Sequence, residues 1–329
     1  MTGHEIVVVG GSAGAVESSR ALVAGLPADL NAAVFLVIHQ ASDASSRLAR
    51  ILTRAGPLTA AAARDAEPIK PGRIYIPPGD HHLLMEAGRV RVSVGPKHNH
   101  HRPAIDPLFR SASRAYGPRV IGVVLSGNLD DGSSGLATIR RRGGLAVVEQ
   151  PETALFSGMP SNAIAAADPD HVVSAAEMGP LLGRLVTVPA DSKAPSRDAA
   201  LDLDYELYLG EHAFVGDARR PSPFSCPECG GVLWEGGAAG LPEYQCRVGH
   251  SFTAEGLASE QNRELEHSLW AGIRSLEEHA QRRRRMEKRF RGHGNTYAAS
   301  RAEKSAHESE RHAKNLRHFL IAKRETPGE

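Results

Sequence analysis

Between residue 5 and about residue 188, short apolar runs alternate with segments of helical period. Ile6–Val9, Ala33–Ile38, Ile74–Ile76, Val120–Leu125 and Ala146–Val148 are rich in β-branched residues and carry no polar alternation. Such runs predict strands buried on both faces. Val16–Leu26 and Leu136–Arg142 recur at helical spacing between them. Strands alternating with helices predict an α/β domain with a mostly parallel, doubly wound sheet and helices on both faces. Leu83–Glu86 and Val90–Val94, with Gly88 between them, read as a local hairpin insert.

The pattern then changes. Pro189 to Arg197 is rich in Pro, Ser, Ala and charge, and Gly216 to Pro223 is a second loose stretch. From about Ala254 proline is absent until the last few residues, and β-branched residues almost disappear. Leu265, Leu269, Ile273, Leu276 and Ala280 recur at steps of four and three, the mark of an amphipathic helix. Gly292-His293-Gly294-Asn295 breaks it. A second, polar, Ala-rich helix is predicted from about Tyr297 to Lys323. The division expected is an α/β domain over 1–188, a linker over 189–223, a cysteine module over 224–253 and a helical hairpin over 254–329. No internal repeat of 20–50 residues is visible.

Composition narrows the class. The chain has 329 residues, 41% hydrophobic and 23% charged, with a formal net charge of +1. These values suit a soluble globular protein and suggest neither nucleic acid nor an anionic membrane as partner. The longest apolar run, Ala32 to Ile38, is too short to span a bilayer. The N-terminus has no basic region or cleavage site, so the expected location is cytoplasmic, without direct membrane insertion. The Arg282–Arg285 run has enough neighbouring glutamates (Glu277, Glu278, Glu287) to be a solvated helix face. A docking surface for an acidic partner is the alternative.

The chemistry is concentrated at strand ends. Val9-Gly10-Gly11-Ser12-Ala13-Gly14 reads strand, sharp turn, helix, and satisfies G-x-S-x-G. Glycines allow a tight turn that lifts the Ser12 hydroxyl above the sheet edge, and the following helix N-terminus offers free N–H groups to an oxyanion. The rival is a phosphate-binding loop. A dinucleotide fingerprint has glycine where Ser12 stands and an acid after the second strand, where this chain has His39. A serine needs a base. His39 ends the strand beside Ser12, and neighbouring parallel strands bring their C-terminal ends to one crevice. Asp130 and Asp131 end a later strand at the same edge, and either could accept a hydrogen bond from His39 Nδ1 and orient the ring.

All three cysteines fall in a short stretch of the second half. Cys226-Pro-Glu-Cys229-Gly230 is a C-x-x-C knuckle, and Cys246-Arg-Val-Gly-His250 follows after sixteen residues. An odd number argues against a disulfide framework, and Cys₃His at this spacing suits a structural Zn²⁺ ion. Four protein ligands leave no open position for catalysis.

Five segments, in order, resemble the catalytic domain of the chemotaxis-receptor methylesterase (CheB) family. They are the strand–GGSAG turn, His39, His101-Arg102-Pro103-Ala104-Ile105-Asp106, Ser126-Gly127-Asn128-Leu129-Asp130-Asp131-Gly132 and Phe156-Ser157-Gly158-Met159-Pro160. The resemblance implies an α/β fold over residues 5 to about 188. It implies hydrolysis of glutamyl methyl esters on methyl-accepting chemotaxis receptors, and in some members deamidation of receptor glutamines. It makes Ser12 the nucleophile, His39 the base and Asp131 the orienting acid, with no cofactor needed for the reaction. Ala13, Asn128, Arg102 and Met159 become candidate oxyanion- and substrate-binding residues. Arg102 could equally form a structural salt bridge, and His81 and His82 are expected to line a loop.

Asp130 stands where the family usually has Asn, Asn128 where it often has Met, and Ala15 replaces a turn glycine. The usual member also carries an N-terminal receiver domain. This chain begins at the catalytic strand, so a regulatory protein acting in trans is the expected substitute. Two alternatives remain at this level: a serine esterase or deamidase acting on another signalling protein, and a catalytically retired interaction scaffold.

Overall fold

The computed structural model describes residues 3–39, 45–191, 195–211, 219–237 and 241–325. In chain order the first part comprises β1 (Ile6–Gly11), α1 (Ala15–Ala24), β2 (Ala33–Ile38), α2 (Ser45–Ala55), β3 (Thr59–Ala62), β4 (Arg73–Ile76), β5 (His82–Glu86), β6 (Arg89–Ser93), α3 (Ile105–Tyr116), β7 (Val120–Val124), α4 (Ser133–Arg141), β8 (Leu145–Glu149), α5 (Gly158–Ala167), β9 (His171–Val173) and α6 (Ala175–Leu185). The seven-stranded sheet has the order β3-β4-β2-β1-β7-β8-β9. Every neighbouring pair in it is parallel. From β1 the chain lays β2, the edge strand β3 and then β4 between them on one side, and afterwards crosses to β7 and winds outward through β8 and β9 on the other. The C-terminal edge between β1 and β7 is therefore a topological switch point, where open α/β sheets form their crevices.

Both faces are dry, as the uninterrupted apolar strands require. Val7 and Val9 point into one core with Leu22, Leu52 and Leu182. Ile6 and Val8 point into the other with Ile105, Phe109, Leu136 and Ala163. Burying each such side chain contributes roughly 1.5–3 kcal/mol. Helix α3 begins tightly against β1: a side chain on Gly10 would stand 2.2 Å from Ile105 Cγ2. That glycine is needed for close approach. The hairpin insert forms as expected, β5 pairing antiparallel with β6 around Gly88 at φ 77°.

The stretch expected to be a linker holds a helix, α7 (Ala199–Leu209), capped by Asp198, whose carboxylate accepts from the Ala200 and Leu201 amides. Its Leu201, Leu203, Tyr205, Leu207 and Leu209 recur every second residue, a strand-like period that hides the helix. Packing decides instead: Tyr205 and Tyr208 are buried against Leu84 of the hairpin insert. A four-stranded antiparallel sheet follows, β10 (Arg220–Ser225), β11 (Val232–Gly236), β12 (Glu243–Cys246) and β13 (Ser251–Thr253). Its small core is Cys226, Leu233, Cys246, Phe252 and Leu257.

Buried Arg110 of α3 ties these parts together. Its Nη1 donates to Asp204 Oδ2 of α7 at 2.8 Å and to Glu243 Oε2 of β12 at 3.2 Å, and its Nη2 donates to Ser134 Oγ at 2.8 Å. Nη2 also contacts Glu243 Oε1.

The residues through Leu257 form one compact unit and Ala258–Glu329 a second. From Ala258 onward, α8 (Ala254–Gly292) forms a hairpin with α9 (Thr296–Glu325). Gly294, at φ 72°, and Asn295, whose Oδ1 accepts from the Ala298 amide at 3.0 Å, make the break. The seam is Leu269, Ile273 and Leu276 against Ala313, Leu316 and Leu320, while Leu265 is exposed. Arg284 pairs with Glu310, Arg291 with Glu303 and Arg317 with Glu277 across it. No helix among the described residues is long and apolar enough to cross a membrane.

Removing one partner of a buried ion pair strands the other. Arg110→Ala is expected to lower the unfolding free energy by about 3–5 kcal/mol, measured by urea denaturation. A change within about 0.5 kcal/mol, the scale of an ordinary surface substitution, would show that Arg110 does not clamp these elements.

Candidate active site and adjoining metal centre

Three strand ends meet at the switch point. Ser12 follows β1, and its amide donates to the Ser126 carbonyl beyond β7 at 2.9 Å. Gly14 at φ 77° forms the N-terminal cap of α1, and the Ala15 amide returns to the Ser12 carbonyl at 3.1 Å. This closes the turn the glycines predicted. His39 follows β2, and its amide donates to the Gly11 carbonyl at 3.2 Å, which sets it beside Ser12.

His39 Nε2 lies 2.7 Å from Asp131 Oδ2. The sequence reading expected Nδ1 as the partner of an Asp. Strands β2 and β7 flank β1, so the two side chains approach across two strand spacings, roughly 9–10 Å, and the far ring nitrogen makes the reach. One face of the ring stacks on His101, with centroids 3.7 Å apart.

Asp131 is buried and fully occupied. Its Oδ2 also accepts from the Ile105 amide at 2.8 Å, and its Oδ1 from the Asp106 amide at 3.2 Å. These are the first residues of α3, so the carboxylate sits on that helix's positive end. Burial by itself would raise its pKa. The hydrogen bond and charge of His39, the charge of His98 and the Ile105 amide outweigh burial and hold the carboxyl well below the usual range.

A second layer of polar groups lies behind this pair. His98 Nε2 is 3.2 Å from Asp106 Oδ2 and 3.9 Å from Asp131 Oδ1, and Tyr208 Oη is 3.3 Å from His98 Nδ1. Asp106 Oδ1 accepts from the Gly135 amide at the start of α4 at 2.6 Å. Sequence reasoning missed His98 and Tyr208. His98 lies three residues before the His101 motif, and Tyr208 sits in the supposed linker.

The other predicted residues divide. Ala13 contributes its carbonyl to Ser126 Oγ at 2.8 Å. Asn128 is exposed on the loop before Asp131. Met159 is buried, its amide donating to the Gly127 carbonyl at 2.8 Å. Its sulfur, like Ser12 Cβ, crowds the space a Gly127 side chain would need. Arg102 is engaged elsewhere: it makes a bidentate pair with Asp80, 3.0 Å at each contact, and Nη1 donates to the Val94 and Gly95 carbonyls, each at 2.9 Å. His82 is buried beneath the loop, Nε2 lying 2.9 Å from the Pro96 carbonyl, and burial lowers its pKa to about 4.

The cysteines and His250 converge as their spacing predicts. Cys226 Sγ lies 3.7 Å and Cys246 Sγ 3.6 Å from His250 Nδ1, and Cys229 Sγ is 3.7 Å from Cys246 Sγ. Two tight turns deliver them. The Gly230 amide returns to the Cys226 carbonyl at 2.8 Å and the Gly249 amide to the Cys246 carbonyl at 2.9 Å, with both glycines at positive φ. The four side chains form a set that can hold a metal ion.

Asp130, beside Asp131, is partly buried, and burial pushes its pKa up to about 7. A carboxyl with a raised folded-state pKa binds protons more tightly folded than unfolded, so its contribution to stability falls between about pH 4 and pH 7 and then levels. Asp130→Asn should remove that slope, so the gain in Tm over the parent is larger at pH 8 than at pH 5. Equal shifts at both pH values would show that Asp130 titrates normally.

Residues 7–182 match the family model of the CheB methylesterase. A protein of Leptospira interrogans is 36% identical over 183 residues, covering 55% of this chain and 95% of its own. Protein-glutamate methylesterase/protein-glutamine glutaminase 2 of Caulobacter vibrioides is also 36% identical over 183 residues, covering 54% of this chain and 53% of that protein. The chain thus spans almost all of the first relative and about half the length of the second. The crystal structure of the Thermotoga maritima CheB methylesterase catalytic domain matches with a TM-score of 0.54 at 34% identity, over 56% of this chain and 100% of that one. The match to the family model over more than half of the chain, on a scaffold shared with that catalytic domain, places the chain in the CheB methylesterase family.

Proposed function

We propose that the chain is a protein-glutamate methylesterase acting on methyl-accepting chemotaxis receptors, with deamidation of receptor glutamines as a second reaction of the same site. The observation that carries this reading is the 2.7 Å His39–Asp131 contact, beside a serine in a nucleophile turn. Both names appear in the Caulobacter relative. Ser12 attacks the ester carbonyl while His39 takes its proton. With Nε2 on Asp131, Nδ1 is the nitrogen assigned as base. Asp131 stabilises the imidazolium and keeps the ring oriented. The amides of Ala13 and Asn128 are assigned to the oxyanion. Methanol leaves, protonated by His39, and water then hydrolyses the glutamyl-enzyme with His39 again as base. An amide substrate would lose ammonia by the same path. Met159 packs against Gly127 next to Ser12, and Arg102 braces the Asp80 loop. The intact Ser12, His39 and Asp131 set argues against a retired scaffold.

For the metal set we propose structural Zn²⁺. Bonds of about 2.3 Å to sulfur and 2.0–2.1 Å to nitrogen, in a tetrahedron, imply S–S edges of about 3.8 Å and S–N edges of about 3.6 Å. The observed 3.6–3.7 Å separations fit. Zinc would tie the two knuckles of a sheet whose own core is small. Three cysteines with no disulfide among them also suit a reducing, cytoplasmic location.

Ser12→Ala should reduce methanol release from methylated receptors by at least about a thousandfold, with unchanged thermal unfolding. Retention of more than a few per cent of the rate would remove Ser12 as nucleophile. Protein purified without chelator should carry close to one zinc per chain by elemental analysis, and Cys229→Ser should lower that content and the Tm. A metal-free parent of unchanged stability would refute the zinc assignment.

A further inference from the structure

The polar contacts of strand β13 run to both loops that carry the candidate catalytic pair. The Ser251 amide donates to the Lys97 carbonyl at 3.2 Å, and the Asn99 amide donates to the Ser251 carbonyl at 2.8 Å. Strand β13 thereby continues as a parallel bridge to His98. The Thr253 amide donates to Asn99 Oδ1 at 2.8 Å. This fixes the loop whose His101 ring stacks on His39 and whose His98 lies against Asp106 and Asp131. The His98 and His101 backbones bond each other in both directions, at 3.2 and 2.9 Å, which closes the turn between them.

The second loop is held by the same residue. Thr253 Oγ1 donates to Asp130 Oδ1 at 2.6 Å and accepts from the Gly256 amide at 3.0 Å. Thr253 is buried, and Asp130 is bonded directly to Asp131 along the chain. Nearby, Asn162 Nδ2 donates both to the Leu129 carbonyl at 3.0 Å and to Glu255 Oε2 at 2.8 Å. Leu129 itself has φ 62°, a conformation costly for leucine that the surrounding bonds hold in place. Strand β13 starts at Ser251, directly after His250 of the metal set.

We propose that Thr253 is a positioning residue for the reaction: paired with Asn99 and Asp130, it makes β13 a splint that holds the His98–His101 loop and the Asp130–Asp131 loop in register around His39. The inference rests on the esterase reading of that site. It gives the metal-binding sheet a task in the reaction without contact with substrate. Displacing a catalytic group by about 1 Å can cost up to about a hundredfold in rate. A polar splint at a buried site transmits such shifts because the packed loops have few alternative arrangements.

The test uses the full chain. Thr253→Val keeps the side-chain shape and removes the hydroxyl. Asn99→Gly removes the acceptor at a residue with φ 49°, which glycine adopts freely. Both should lower kcat for methanol release about tenfold, with KM within about twofold, and speed amide hydrogen exchange over residues 97–101 and 127–133. Thr253→Ser, which restores the hydroxyl, should recover at least about half of the lost rate. Thermal unfolding and metal content are measured alongside, and if Thr253→Val fails to fold, Asn99→Gly decides. The proposal is overturned by wild-type kcat and exchange in a folded variant, by a change confined to KM, or by a Thr253→Ser variant as slow as Thr253→Val. Absence of methanol release by the parent chain would instead reject the esterase reading, while the exchange data would still report on the splint.

Discussion

The structure turns on one buried carboxylate. Asp131 accepts the first two amides of α3 and holds the ring of His39. A charge stripped of water needs compensation from every side, and here it comes from a helix end and an imidazole. The compensation runs both ways. Helix α3 gains a cap for its open N-terminus, and His39 gains a fixed orientation. The close seat of α3 on β1, permitted by Gly10, brings that helix end to the crevice. The sheet order does the rest, since reversal at β1 opens the C-terminal edge between β1 and β7.

Around this carboxylate the protein builds outward in layers of polar contact. His98, Asp106 and Tyr208 lie behind it, and β13 grips the loops on either side. Arg110 clamps the same periphery through Glu243 and Asp204. The helix and the small sheet that follow the α/β domain are therefore bound into it. Their contacts converge on the switch-point loops, where a small displacement matters most for chemistry. Zinc in the proposed set would tie the turn between β10 and β11 to the turn between β12 and β13.

Several features were legible in the amino-acid sequence because their causes are local. Unbroken β-branched runs reported β1, β2, β4, β7 and β8, since a strand covered on both faces has no room for polar alternation. The Gly10–Gly14 turn, His39 after its strand and the paired Asp130 and Asp131 stood out because a parallel sheet collects strand ends at one edge. The C-x-x-C and Cys-x₃-His knuckles carried their geometry in their spacing. By contrast, β3 is mostly alanine and β9 has three residues, so neither bears a strand signature. Helix α7 alternates apolar and polar residues like a strand and is helical because its tyrosines find a pocket.

What only the tertiary structure decided is the company each candidate keeps. His39 presents Nε2 to Asp131 because the two stand on opposite sides of β1, a fact of strand order. Arg102 is bound to Asp80 and two carbonyls, which no motif records. Tyr208 meets His98 across 110 residues, and Thr253 meets Asn99 across 154. Hydrogen bonds between residues so far apart leave no periodic trace, because they depend on how separately folded segments dock. The sequence by itself determined which side chains could react and where the sheet would expose them. Docking determined which polar groups surround and hold them, because the energy of a buried charge depends on all its neighbours at once.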